Sequence, residues 1–356
     1  MNKLSYRIAN IVALLLCIFL GSSCRDNGST SSRLDSGSNE FRWTIDTLSY
    51  PGSSQTFMRD IWGSSSRDIY VVGNNDQGGR GTMYHYNGSN WSDVKLASVQ
   101  GGSISGAFSL FSVYGFNSTD VYAVGDQIAF DQASQEFLDS TLIIHFNGVS
   151  WNEIQVPRRE WASCIRGSGT TDAWVGGSAG TLYHLNGNSY NEFSVGHEFF
   201  ITSIACLSQD DVFAEGNRTD WTLPVDSSAY VLFHFDGTSW KRVDSAMRTS
   251  GSPPSSFGAA IWTDKVHLYS LAPNISQLEN NVWTIIFEGP VGHMFKNADN
   301  DIYAVGESIF HYDGNTWLRF TKFDTIGSVW EGGYSNGREV FVLGSNGKIS
   351  IVLHGR

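Results

Sequence analysis

The chain has 356 residues, a formal net charge of −12, 38 glycines, 7 prolines and 13% aromatic residues. An acidic balance of that size excludes the basic stripe that nucleic acid would need, and favours solubility without pointing to a partner. Four cysteines, two of them within the first 24 residues, are too few for a disulfide framework.

Residues 1–24 read as an export signal. Lys3 and Arg7 give a basic start, Ile8 to Leu20 an apolar stretch, and Gly21-Ser22-Ser23 a small-residue exit before Cys24. The apolar stretch falls short of the roughly 20 residues a helix needs to span a bilayer. Small residues before a cysteine resemble a bacterial lipobox, which implies lipidation of Cys24. Gly21 stands where that motif usually carries Leu, so plain secretion is the alternative. Residues 25–40 are Ser, Gly, Asn and Asp with almost nothing apolar, and are expected to form a flexible tether. The expected location is the bacterial cell envelope, membrane-anchored, or alternatively secreted or periplasmic.

From Phe41 to Arg356 one phrase recurs at intervals of about 40 residues, the mark of a supersecondary unit copied around an axis. Its first half reads Asp68-Ile-Tyr-Val-Val-Gly73, then Asp120–Gly125, Asp172–Gly177, Asp211–Gly216 and Asp301–Gly306. Its second half reads His85-Tyr-Asn-Gly-Ser-Asn-Trp91, then His145–Trp151, His184–Tyr190, His234–Trp240 and His311–Trp317. Branched and aromatic residues alternating with small ones predict short antiparallel strands. No capped 3.6-residue apolar period occurs in the body, so an all-β fold with essentially no helix is expected. The Asn-Gly and Asp-Gly pairs predict two-residue hairpin turns, where positive φ is needed.

Two further copies emerge once the pattern is known. Ile275–Trp283 matches Ile309–Trp317, with Gln277 in the histidine position, and Ile326–Arg356 stops where its outer strand should begin. Phe41–Leu48 looks like that missing strand, with Trp43 in the place of Trp91 and Trp317. Completing the last copy with it closes a ring and removes open sheet edges. The count is seven copies of about 45 residues, with six or eight as alternatives because the fifth is degenerate. The pattern resembles seven-bladed β-propellers broadly, and more closely bacterial secreted repeat proteins of the "DVYAVG…HYDG..W" kind. That resemblance covers residues 41–356 and implies the fold: four-stranded antiparallel blades, the ring closed by the N-terminal strand. It implies no activity, because propellers host enzymes, lectins and scaffolds alike.

Recurrence moves most conspicuous residues into the structural column. His85, His145, His184, His234 and His311 sit about a seventh of a turn apart, so they cannot converge on one metal. The aspartates opening each phrase are expected to bond backbone at their turn. Trp43, Trp91, Trp151, Trp240, Trp283 and Trp317 are expected to fill space between blades. Aligned inner strands keep Cys164 and Cys206 too far apart for a disulfide, which predicts two free buried thiols.

The loops break the symmetry. Connections between second and third strands are long at 74–82, 126–140 and 217–229, and those between blades are long at 49–56, 95–109 and 244–256. In a four-stranded blade both kinds emerge on one face, where binding functions tend to live. On that face the inner strands bring Arg59, Asp60, Ser112, Ser203, His293 and Ser328 towards the channel mouth, and the loops add Arg80, Phe130, His197 and Trp221. Arg59, Asp60, Arg80, Phe130, His197, Trp221 and His293 are the candidate binding residues. They form no recognisable catalytic set, metal site or cofactor cradle. The expectation is a monomeric, membrane-tethered, non-enzymatic propeller that binds a protein or glycan partner, with no nucleic acid and contact with the membrane only through its anchor. A carbohydrate-active enzyme at the channel mouth is the alternative; it would need two carboxylates with separated pKa values, and Asp60 is the one inner-strand carboxylate evident there.

Overall fold

The structure, a computed structural model, describes residues 41–356 apart from 132–134, 158–160, 170–171, 188, 219–228, 248–257, 259, 272 and 328. The signal, Cys24, the tether, Trp221 and Ser328 therefore lie outside the described residues, and of Phe130 only the backbone is described.

Seven four-stranded antiparallel sheets make a seven-bladed propeller. Blade 1 runs outward through Thr56–Ser65, Asp68–Asn75, Met83–Tyr86 and Trp91–Asp93. Blade 7 takes three strands from the C-terminus, Val329–Ser335, Val340–Ser345 and Ser350–Gly355. Its fourth is Trp43–Leu48, in register from Trp43 opposite Gly355 to Leu48 opposite Ser350. The ring is closed as the orphan strand predicts. Helix among the described residues is limited to three short 3-10 turns.

The core is seven seams rather than one centre. Each cluster of buried side chains joins two neighbouring blades, as Val72 and Met83 of blade 1 join Val113 and Val121 of blade 2. The outer tryptophans pack into these seams, among them Trp151 in the seam of blades 1 and 2, Trp240 in that of blades 3 and 4, and Trp43 in that of blades 6 and 7. Spreading burial over seams lets a chain too long for one layered core still cover its apolar surface.

The repeated aspartates have a different partner from the one expected. Asp68 Oδ1 lies 2.7 Å from His85 Nε2, and the same pair recurs as Asp120–His145, Asp211–His234 and Asp301–His311 at 2.7–2.8 Å. Asp172 pairs with His184, and Glu339 with His354. Each imidazole also stacks on an aromatic ring of the second strand, with centroids between 3.9 Å (Phe341–His354) and 4.4 Å (Tyr70–His85). A carboxylate reaches the neighbouring strand's side chain because both stand on one face of the sheet, so backbone is not its main partner. Recurring histidines are thus a structural ladder.

The hairpin turns also differ from expectation. Tyr86 pairs with Trp91, leaving four connecting residues, of which Gly88 alone is left-handed at φ 93°. Asn87 Oδ1 accepts the backbone N–H of Ser89 and Asn90, 3.0 Å each. The side-chain acceptor supplies a turn bond, so the Asn needs no positive φ. Asn147 and Asp236 repeat this.

One long connection proves to be largely strand. In blade 2, Asp120–Asp131 and Glu136–Phe146 stay paired as far as Asp131 opposite Glu136. In blade 4, Asn217 still pairs with Tyr230, and Ala229 with Met247. Blade 2 raises a hairpin where the sequence suggests a loose loop, and in blade 4 residues 219–228 lie outside the described residues. Over blade 1 the loops are bonded together: Asp76 accepts Ser53 Oγ at 2.7 Å and Ser54 Oγ at 2.6 Å, and Gln100 Nε2 donates to Tyr50 Oη and Asp93 Oδ2, 3.1 Å each.

Candidate binding site at the channel mouth

A bulge near the start of the innermost strands sets the mouth. The pairing register skips Arg59 in blade 1, Phe111 in blade 2, Ser163 in blade 3, Thr202 in blade 4, Gly292 in blade 6 and Glu331 in blade 7. A bulge leaves one residue unpaired and re-aims it, so successive residues can turn to the same side. The residues just after the bulge are Asp60, Ser112, Cys164, Ser203, His293 and Gly332. The fold therefore gives each of these six blades two positions at the mouth.

On blades 1 to 3 these positions satisfy one another. Asp60 Oδ2 accepts Ser112 Oγ at 2.6 Å, the Val113 N–H at 3.1 Å and Arg166 Nη1 at 3.4 Å, while Oδ1 accepts the Ile61 N–H at 2.9 Å. Arg166 Nη1 also donates to Ser112 Oγ at 3.1 Å and to the Ile165 carbonyl at 2.7 Å. Burial works against the Arg166 charge, but Asp60 beside it holds the guanidinium above its ordinary value. This cluster crosses two seams.

On blades 6, 7 and 1 the polar groups do not satisfy one another in this way among the described residues. His293 Nε2 and Glu331 Oε2 stand 3.9 Å apart, beyond hydrogen-bond distance. Arg59 donates through Nε to Asn74 Oδ1 at 2.9 Å and lies over the Phe111 ring, 5.4 Å from its centroid. Burial raises the Glu331 carboxyl to about 7, with Arg59 opposing and Asp60 adding. Burial likewise lowers Arg59, against the pull of Glu331 and Asp126. Water reaches 46% of the His293 side chain, but only as channel water walled by protein, and burial lowers the imidazole's pKa against the pull of Asp60.

Asp60, Arg166, His293 and Glu331 line a central cavity of about 200 Å³, walled also by Trp62, Tyr114, Trp262 and Phe295. Two of the predicted residues fall elsewhere. Arg80 donates to its own loop, Nε to the Gln77 carbonyl at 3.3 Å. The His197 side chain is 95% exposed and, among the described residues, meets Glu198 at 3.7 Å. Phe130 and Trp221 belong to the side chains that are not described. So the structure gathers Arg59, Asp60 and His293, and leaves Arg80 and His197 in separate loops.

Three charged residues escaped the sequence reading. Arg166 occupies the inner-strand position held by Trp62, Tyr114, Trp262, Phe295 and Tyr334 in other blades. Glu331 is a second inner-strand carboxylate, so Asp60 is not alone. Glu215, fully buried, replaces the Val72, Val124 and Val305 of other blades; its Oε2 bonds Thr202 Oγ1 and its Oε1 has no partner among the described residues. A charge at an apolar repeat position was the available signal for Arg166 and Glu215. Cys164 and Cys206 are free and buried, and burial pushes the Cys164 thiol up to about 11. Among the described residues no three of His, Cys, Asp and Glu gather as a metal-binding group.

No protein-family model and no curated protein matches the chain. Among solved structures, YCF48 bound to D1 peptide is 15% identical at a TM-score of 0.58, covering 88% of this chain and 96% of that chain. YCF48 from Cyanidioschyzon merolae is 14% identical at 0.56, covering 88% and 98%. The WD40 β-propeller domain of Doa1 is 11% identical at 0.55, covering 87% and 96%. At these identities the likeness is one of fold.

Proposed function

We propose that the chain is a binding module, tethered to a membrane through lipidated Cys24, that takes a partner on the face of its long connections with the channel mouth as the contact. One observation carries this reading. His293, Glu331 and Arg59, on three consecutive blades, present polar atoms that no described protein group satisfies, beside a cluster in which Asp60, Ser112 and Arg166 bond one another. Unpaired polar groups held rigidly around a cavity are what a ligand completes. The bonded loops over blade 1 lower the ordering cost of association. The peptide recorded on YCF48 adds support, since a ring of this fold there holds a segment of another chain.

Hydrolysis fits less well. Glu331 near 7 would suit a general acid, but the second carboxylate, Asp60, is committed to four donors, with the Arg166 guanidinium and two others on Oδ2, which suits it poorly to act as nucleophile or base. The test is retention of partners by the immobilised full-length protein from extracts of its own cells. Arg59→Ala and Glu331→Ala should each release a discrete partner that the Asn87→Ala variant, changed on the opposite face, still retains. Equal retention by all three variants would refute the reading. Mass analysis of the N-terminal peptide checks the tether: a lipid on Cys24 is expected, and an unmodified cysteine contradicts it.

A further inference from the structure

The cavity suggests what the partner inserts. Two atoms 3.9 Å apart, His293 Nε2 and Glu331 Oε2, are too far apart to bond each other. One hydroxyl placed between them lies within hydrogen-bond distance of both. Arg59 does not line the cavity, so the hydroxyl site rests on His293 and Glu331. Trp62, Trp262 and Phe295 give the same cavity an apolar wall.

Charge and size narrow the choice. Asp60 and Glu331 face Arg166 and Lys265 across one space, so neither a bare cation nor a bare anion meets a field of one sign. At about 200 Å³ the cavity is smaller than the roughly 300–1,000 Å³ usual for drug-sized ligands, which limits the guest to a single ring. A neutral ring with hydroxyls on its rim and C–H faces against aromatic walls meets all of these conditions.

Resting on the partner-binding reading above, we infer that the channel takes the terminal pyranose unit of a glycan carried by the partner, with one of its hydroxyls held between His293 and Glu331. The hydroxyl donates to the Glu331 carboxylate and accepts from the imidazole, or the reverse when Glu331 is protonated. No bond is made or broken in the sugar.

Ligand-observed NMR on the full-length protein tests this. The probes are methyl glycosides of glucose, galactose, mannose and N-acetylglucosamine, with glutarate and 1,5-diaminopentane as charged counterparts. At least one glycoside should bind while both charged probes stay silent. His293→Ala and Glu331→Ala should each weaken it by about 10-fold, whereas Glu331→Gln, which keeps an acceptor and a donor, should stay within about threefold. Unaltered thermal melts identify folded variants, and His293→Gln replaces any that fails. Silence from every glycoside, preference for a charged probe, or binding indifferent to both alanine variants overturns the inference. If partner retention still depends on Arg59 while the sugars are silent, the glycan inference alone is lost. If retention is also indifferent, the binding reading goes with it.

Discussion

Asp60 of blade 1 and Arg166 of blade 3 meet at 3.4 Å across the inner end of blade 2, with Ser112 donating to the one and accepting from the other. The two ends are not equivalent. Asp60 holds three further donors, whereas Arg166 relies on Asp60 for its countercharge. Asp60→Ala should therefore cost about 2–3 kcal/mol, discounted for the channel water at Arg166, and Arg166→Met about 1 kcal/mol or less. Urea unfolding of both variants checks the order, and equal costs would contradict it.

Glu215 predicts an alkaline weakness. Burial raises its carboxyl well above the ordinary 4.5, despite the bond from Thr202. A group whose folded pKa is raised leaves stability intact below 4.5 and removes it as pH rises towards the folded value, at up to about 1.4 kcal/mol per pH unit. Stability should fall as pH rises above 4.5, and Glu215→Leu, the residue at Leu343 in blade 7, should flatten that fall. An unchanged slope in the variant would contradict the account.

The histidine ladder predicts the opposite limb. Burial disfavours the Asp68 charge, but the bonds from His85 and Ser64 outweigh it and hold the carboxyl below its ordinary 3.8. A depressed folded pKa contributes stability above 3.8 that is lost as pH falls through the folded value. Asp68→Asn should be less stable than the parent at pH 7 and approach it below pH 3, as read by denaturant midpoints at both pH values.

Removing residues 41–48 should lower the melting temperature by about 10 °C or cause aggregation. It strips Leu48, 1% exposed, from its seam and leaves Ser350–Gly355 as an open edge. An unchanged melt would refute ring closure by this strand.

The fold was legible because it is written seven times: a strand pattern that is ambiguous once becomes decisive when His85, His145, His184, His234 and His311 recur in step. The site is where the copies differ, and there repetition helps least. Arg166 reads as an exposed strand residue until its position is known to be aromatic in other blades. Glu331 stands at the bulge that Arg59 holds in blade 1, three residues beyond Ser328, the position the sequence suggests. The turns misled for a related reason, since Asn87 bonds backbone through its side chain and spends no positive φ. Local chemistry and irregular register lie below what periodicity resolves.

The measurement that tests the binding face most directly is photo-crosslinking in intact cells. A photoreactive residue is placed at Gln77, on the long-connection face, or at Ser89, on the turns of the opposite face. Discrete adducts from Gln77 and none from Ser89 are the predicted result. Adducts from Ser89 alone, or none from either position, would contradict the assignment of the partner to the channel-mouth face.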